Sequence, residues 1–534
     1  MTKIFRILGP PGTGKTTYLT KEIKTVTEKY GAHNVIVSSF TKAAAAELAG
    51  KNMSLKKQIG TLHSHAYRSI GSIYGVAAGE CLNDFNKQFP QYSLGGTKGS
   101  EDVGSSRPGL TPGDDLQSRM NIYRARLIPV DHWAPSVQAF HKAWTTWKED
   151  NTLVDFSDMI EKALLEVKTA PGNPEVMFVD EAQDNTPLEM ALIRKWAEHT
   201  EYTVMAGDDD QCLYSFLGAT PRTLMDGQFD YTKILDQSWR IPRLVQAKAE
   251  DWIKKVRERV EKEYNPRDFE GEVIRSRVTL KNTHLLMRKI QDDLDNNMSV
   301  MILTTCSYML HPILKELRKN GIAFSNKYRT EEGAWNPLKS GGTAGALSDF
   351  LLPCRDVHGT NARIWTPKEL ERTVAMLRSS EVLTRGVKAG YKEMFTDKEW
   401  NEDMTVDQMI SVFPLETSSF WGIMNNPDKD VMLKWVLDNM LGSKINGARF
   451  PMKILEKYGT IPRDPQVTVG TIHSVKGGQS DSIYLFPDLS TRGALSYSKR
   501  GEEKDSVIRA FYVGMTRAKK KLTLCQGQGY AVRW

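Results

Sequence analysis

The chain is poor in cysteine: five thiols (Cys81, Cys212, Cys306, Cys354 and Cys525) are scattered through 534 residues. No two stand at a paired spacing, which argues against a disulfide framework or a cysteine zinc site and predicts reduced thiols in a cytosol-like compartment. No apolar run is long enough to span a bilayer, and the first apolar stretch is too short for a signal peptide. A soluble, cytoplasmic protein with no membrane partner is the resulting expectation. Charge is not extreme either. A net charge of +7 and a pI near 8.8 are compatible with nucleic acid without requiring it. No nuclease-like acidic cluster stands outside the motifs described below. What remains, 40% hydrophobic and 26% charged, is ordinary globular composition with length for roughly three or four domains.

The most specific stretch comes at the start. Gly9-Pro10-Pro11-Gly12-Thr13-Gly14-Lys15-Thr16 is a glycine-rich loop closed by Lys and a hydroxyl residue. Ile4 to Leu8 ahead of it reads as a buried strand. Thr17 to Tyr30 behind it reads as a helix with Leu19, Ile23 and Val26 on one face. In that context the loop amides and the helix N-terminus cradle a polyphosphate. Lys15 is placed to reach the β/γ-phosphates and the Thr16 hydroxyl to hold Mg²⁺. The pattern predicts nucleoside triphosphate binding.

Further strands are expected at 33–40, 57–62, 177–179, 203–206 and 300–303, separated by helices. Alternation of strand and helix places α/β segments at 1–68, 151–235, 236–326 and 462–534. Two stretches lose that rhythm and read as mainly helical inserts, 69–150 and 327–461. The first carries loop-like tracts (Tyr92 to Ser106, Arg107 to Asp115) and Trp133, Trp144 and Trp147, read as core residues with base stacking as the lesser alternative. The second carries a glycine-rich loop (Lys339 to Gly345) and amphipathic helices near Pro367–Leu377 and Val431–Met440. At the end, Lys521 to Cys525 and Tyr530 to Trp534 suggest a short hairpin across Gly527-Gln528-Gly529.

Other motifs carry chemistry. Asp180-Glu181-Ala182-Gln183-Asp184 follows an apolar strand; Asp180 is suited to Mg²⁺ through water and Glu181 to orienting and deprotonating a water. Gly207-Asp208-Asp209-Asp210-Gln211 follows another, with Gln211 a γ-phosphate sensor. Tyr214 and Phe216 beyond it are spaced to put two rings on one side of an extended chain, as a stacking platform or as core. Arg240 and Arg517 are candidate arginine fingers. Gly60-Thr61-Leu62-His63-Ser64 is echoed by Gly470-Thr471-Ile472-His473-Ser474. The echo is either accident or the mark of two related cores presenting Thr and His at equivalent strand ends.

In this order the segments Gly9–Thr17, Ser38–Leu48, Gly60–Arg68, Asp180–Asp184, Gly207–Ala219, Gln237–Pro242, Val467–Gln479 and Arg509–Leu524 resemble superfamily 1 helicases of the UvrD/Rep/PcrA branch, over nearly the whole chain. The resemblance implies two RecA-like cores with ATP between them, each interrupted by a helical insert. It implies MgATP binding by Gly9, Pro10, Gly12, Thr13, Gly14, Lys15, Thr16 and Thr17, with Gln479 at the ribose and Thr16 and Asp180 at the metal. Lys15, Asp180, Glu181, Gln211, Arg240 and Arg517 are then the catalytic set. Phe40, Thr41, Thr61, His63, Tyr214, Phe216, Thr471 and His473 line a single-strand track. The implied activity is a DNA-stimulated ATPase and 3′-to-5′ helicase acting on single-stranded and 3′-tailed DNA as a monomer or weak dimer, together with loading or replication proteins. The implied location is at the nucleoid, or in a host cytoplasm if the source is a virus.

The chain departs from the family pattern in three places. Only eight residues precede Gly9, where the family carries an adenine-reading Gln segment. Leu217 and Gln479 stand where the family has Arg and Glu. Little chain follows Leu524, so that a strand-separating hairpin must be small, tipped near Tyr530. With compact inserts, these features suggest a stripped-down form such as a virus encodes. An ATP-driven translocase that strips proteins from single strands is the alternative. A P-loop small-molecule kinase leaves the Thr-x-His-Ser pair unexplained, and a non-catalytic binding scaffold conflicts with the intact nucleotide motifs.

Overall fold

The computed structural model describes residues 2–40, 45, 48–50, 53–71, 73–95, 111–329, 333–338, 342–351, 365–425, 428–462 and 464–534. They divide into two compact units: 1–279 with 303–309 and 471–534, and 280–302 with 310–470. The strands in chain order are β1 (Lys3–Leu8), β2 (Val35–Ser38), β3 (Ile59–Gly60), β4 (Gly75–Val76), β5 (Leu153–Val154), β6 (Val176–Val179), β7 (Tyr202–Gly207), β8 (Tyr231–Ile234), β9 (Glu272–Arg275), β10 (Val300–Thr304), β11 (Phe324–Ser325), β12 (Val467–Thr471), β13 (Ser480–Leu485) and β14 (Ala518–Leu524). The fold is the expected α/β class with parallel sheets.

In the first unit six strands run β3-β2-β6-β7-β1-β8, every pair parallel. The central strands are near-continuous apolar runs because both faces are covered. Period-2 alternation sorts their side chains. Ile7, Val35, Val37, Val176, Phe178, Val204 and Ala206 pack against Leu19, Ile23 and Val26 of helix Lys15–Tyr30. Leu8, Ile36, Met177, Val179 and Met205 pack on the opposite face, against Leu192 and Trp196 of helix Pro187–Ala197. Parallel pairing then puts all six strand ends on one edge: the register aligns Leu8 with Gly207 and Ile234, and Ser38 with Val179 and Gly60. The sequence motifs begin immediately after those residues, at the edge where ligands of such sheets bind. Elsewhere in this unit β13, β14 and β9 lie side by side in parallel.

Helices Leu82–Gln88, Pro112–Ala125 and Pro135–Asp150 form a satellite core around Phe85, Met120, Phe140, Trp133, Trp144 and Trp147. All three tryptophans are buried, which decides for core packing over base stacking. Beneath them lies an ionic knot. Arg124 bonds Asp155, Asp158 and Glu161, and Lys148 bonds Asp155 (2.6 Å) and Asp158.

The second unit carries the parallel pair β11-β12 and a helical cluster around Phe350, Trp365, Phe413, Phe420 and Trp435. Helix Pro367–Met376 starts at a Thr366/Glu369 capping box, which explains its boundary.

Two expectations fail. Residues 530–534 form no strand and no hairpin with β14. Both edges of β14 are already occupied, by β13 and β9, so no edge remains for a returning strand. The tail instead packs Trp534 against Trp252 and Phe511 and donates its indole N–H to the Cys525 carbonyl (2.8 Å). Nor is the Tyr214–Phe216 stretch extended: Ser215–Leu217 is a 3₁₀ turn closed at Gly218, whose φ is +100°.

Candidate nucleotide and nucleic-acid site

The loop after β1 is held from within and from outside. Thr13 Oγ1 donates to the Pro10 carbonyl (2.9 Å), Lys15 Nζ donates to the Gly9 carbonyl (2.5 Å), and Gly14 caps helix Lys15–Tyr30 at φ +83°. The Pro11 carbonyl accepts two further hydrogen bonds, from Ser238 Oγ (3.1 Å) and from the half-buried Tyr264 hydroxyl (2.9 Å). Trp239 N donates to the Gly12 carbonyl (2.9 Å). Gly12, at φ +79°, has to be glycine: a Cβ there would lie 2.6 Å from the Cβ of Arg240 and 2.7 Å from Ser238 Oγ. Arg240 is thereby fixed beside the loop. Thr16 opens the helix half-buried and Thr17 is exposed.

The segment after β6 is wired residue by residue. Glu181 sits in the left-handed region at φ +53°, a strained conformation for a non-glycine residue that its neighbours must hold. Its carboxylate accepts from Gln183 Nε2 (2.5 Å) and faces Lys476 Nζ at 3.5 Å. Lys476 also ion-pairs with buried Asp184. Burial and the neighbouring Glu181 push Asp180 up to about 7. Burial alone would raise Glu181 too, but Lys476 and Lys15 outweigh it and hold Glu181 at about 2. The pair is thus split into an ionised carboxylate and one that needs a nearby cation to ionise fully. A Thr hydroxyl and a carboxylate of that kind are hard oxygen donors that fit Mg²⁺.

After β7, Gln183 Oε1 accepts the Asp208 amide (2.9 Å), and Asp208 Oδ2 accepts from Gln211 Nε2 (2.8 Å). Gln211 Oε1 in turn accepts from Arg517 Nη2 (3.1 Å), which also donates through Nη1 to the Gly478 carbonyl (3.2 Å). Gln479 beside it is exposed. The three consecutive aspartates, Asp208 to Asp210, could in principle form a cation cluster. Their counter-ions are already present: Lys262 Nζ lies 3.0 Å from Asp208, 3.2 Å from Asp210 and in direct contact with Asp209, and Arg259 binds Asp210 at 2.6 Å. Burial alone would lower the pKa of Lys262; the three carboxylates raise it.

The aromatic residues form one cluster. Phe40 packs on Tyr214 (4.7 Å between centroids), Tyr214 on Phe216 (6.0 Å), and His473 meets Phe216 at 5.5 Å and Tyr214 at 6.2 Å. Tyr214 and His473 are buried, whereas Phe216 is half-buried and Leu217 exposed. Lys476 Nζ stands 5.3 Å over the Tyr214 ring and 6.0 Å over Phe40, so a single cation faces both the acidic segment and the aromatic cluster.

The Thr-x-His-Ser echo is structural. In both copies the Thr Oγ1 accepts the Ser amide at 3.3 Å and the Ser hydroxyl donates to the Thr carbonyl, at 2.7 Å for Thr61/Ser64 and 2.9 Å for Thr471/Ser474. The two histidines differ in surroundings. His473 joins the aromatic cluster, while His63 pairs with Glu189 (3.7 Å) and the exposed Phe156 ring. Thr41 lies outside the described residues.

Sequence reading missed Lys262, Arg259, Tyr264, Ser238 and Lys476. Ser238 and Lys476 lay inside quoted segments, Gln237–Pro242 and Val467–Gln479, but no role was read for them. The first three sit in the charged run 254–267, which looks like an ordinary solvated face until the fold turns it onto the aspartates and the loop.

A parallel sheet with a phosphate-binding loop after its first assigned strand, and an acidic pair after a strand two places across, is the architecture of a P-loop NTPase. A model of the AAA domain matches residues 1–217, and one of the UvrD-like helicase C-terminal domain matches 453–528. Similar proteins include the ATP-dependent DNA helicase srs2 of Schizosaccharomyces pombe, 24% identical over 44% of this chain and 31% of that protein. PcrA of Leuconostoc citreum is 23% identical over 50% of this chain and 39% of its own length. UvrD2 of Mycobacterium tuberculosis is 24% identical over 41% and 36%. These two family matches and relatives support a UvrD-like superfamily 1 helicase. It spans well under half the length of these curated relatives. A solved arterivirus nonstructural protein 10 helicase aligns over 98% of this chain at 10% identity, with a TM-score of 0.31 that is too low to define a shared fold.

Proposed function

We propose that the chain is a DNA-stimulated ATPase that moves along single-stranded DNA from 3′ to 5′ and separates duplex ahead of it. One observation carries this reading: Lys476 faces Glu181 and Asp184 on one side and the Tyr214 and Phe40 rings on the other. Nucleotide turnover and base stacking therefore share a charged group. Named relatives that are ATP-dependent DNA helicases support it.

In this reading the loop amides of Gly9 to Gly14 and Lys15 bind the phosphates. Thr16 and Asp180 would hold Mg²⁺, which would supply charge neutralisation to the phosphates. Glu181, ionised at neutral pH, accepts a hydrogen bond from the attacking water and orients it. Arg517 and Arg240 bring positive charge to the γ-phosphate, and Gln211 links that arginine to Asp208 and the aromatic turn. Phe216 and Phe40 stack on bases, each stack being worth ~1–3 kcal/mol; Thr61, Thr471 and the two histidines flank the strand. The domain limits 1–68, 69–150, 151–235, 236–326, 327–461 and 462–534 belong to the same reading.

Unwinding of matched 3′-tailed and 5′-tailed duplexes tests it. Activity on the 3′ tail alone supports the proposal. Activity on the 5′ tail alone overturns the polarity, and DNA-stimulated turnover without strand separation favours a translocase.

A further inference from the structure

The charged run 254–267 belongs to none of the motifs above, yet it places one lysine at the centre of the site's wiring. The Lys262 side chain is only 1% exposed, and three carboxylates with no exposed surface converge on its ammonium. Arg259 ion-pairs with Asp210, and among the described residues Lys262 is the cation within ion-pair distance of Asp208. Asp208 bonds Gln211, and Gln211 bonds Arg517. Two residues on, the Tyr264 hydroxyl grips Pro11 of the phosphate loop. Removing the cation leaves adjacent buried carboxylates to repel one another within the short turn Asp209–Gln211 that presents Gln211.

We propose that Lys262 is a positioning residue for ATP turnover: it fixes the Asp208 carboxylate so that Gln211 presents its carbonyl to Arg517. The proposal rests on the ATPase reading above. It assigns Lys262 no contact with the nucleotide. Its loss therefore acts on the chemical step and spares binding by the Gly9–Thr16 loop.

The test is steady-state ATP hydrolysis by the full chain with saturating oligo(dT), alongside equilibrium binding of a fluorescent ATP analogue, for wild type, Lys262→Met and Lys262→Arg. Lys262→Met is expected to bind the analogue like wild type and to lose about tenfold or more in kcat, the scale of a lost supporting partner. Lys262→Arg, which restores a buried cation, is expected to regain most of it. Wild-type turnover by folded Lys262→Met overturns the proposal. So does a loss of nucleotide affinity in step with turnover, which is what general damage to the fold produces. If Lys262→Met does not accumulate as folded protein, the pair Lys262→Met/Asp209→Asn removes one unpaired charge while leaving Asp208 unsupported, and the same kcat criterion applies. Absence of turnover in wild type, with and without DNA, refutes the ATPase reading and this role with it.

Discussion

The Pro11 carbonyl offers a sharp quantitative test, because two side chains from outside the phosphate loop donate to it. Tyr264→Phe deletes one donor and leaves Ser238 Oγ in place at 3.1 Å. The expected loss is that of an ordinary hydrogen bond, ~1 kcal/mol. Ser238→Ala should be more damaging. Ser238 Oγ also accepts the amides of Arg240 (3.3 Å) and Ile241 (3.1 Å), so the substitution strands two donors while the Pro11 carbonyl keeps Tyr264. About 2 kcal/mol is reasonable. In the double variant the buried Pro11 carbonyl keeps neither donor, and its desolvation adds a penalty of ~1–3 kcal/mol that neither single variant incurs. The double variant should therefore be destabilised by more than the sum of the singles. Urea unfolding of the four proteins measures this cycle, and binding of an ATP analogue shows whether the loop itself loosens. Strictly additive losses would refute the two-donor clamp.

Other outcomes follow from the same geometry. Trp144→Ala should cost ~3–5 kcal/mol and leave single-strand affinity intact, since the ring is fully buried; a selective loss of DNA binding without destabilisation would contradict its place in the core. Burial lowers His65 to about 4 from an ordinary 6.5. The unfolded chain then binds a proton that the native one excludes between those values, so stability falls as pH drops through that window, by up to ~3 kcal/mol. Urea midpoints at pH 7 and pH 5 should separate more in wild type than in His65→Gln. Tyr530 is exposed at the surface of a docked tail, so Tyr530→Ala should unwind a 3′-tailed duplex like wild type; abolished unwinding would restore the strand-separating role.

What was legible in the sequence was whatever depends on local order. The phosphate loop, its flanking strand and helix, and the acidic segment after β6 are each written in a few consecutive residues. The Thr-x-His-Ser echo was visible as a pattern, and matching hydrogen bonds explain it. Illegible was anything decided by what the fold brings alongside. Gly527-Gln528-Gly529 looks like a hairpin turn, but β14 has no free edge, and that information resides in β9 and β13. The Tyr-x-Phe spacing suggested an extended platform, whereas Gly218 closes a 3₁₀ turn that buries the first ring and half-exposes the second. Lys262 stands in a charged run, 254–267, that carries no motif, and only the fold brings three aspartates around it.

The central claim is that nucleotide turnover and single-strand binding are coupled in this chain. It is tested most directly by steady-state ATP hydrolysis with and without single-stranded DNA, in wild type and in Phe216→Ala. The account predicts turnover that rises with DNA in wild type, and in Phe216→Ala the same DNA-free rate with a weaker response to DNA. Turnover that DNA leaves unchanged would contradict it.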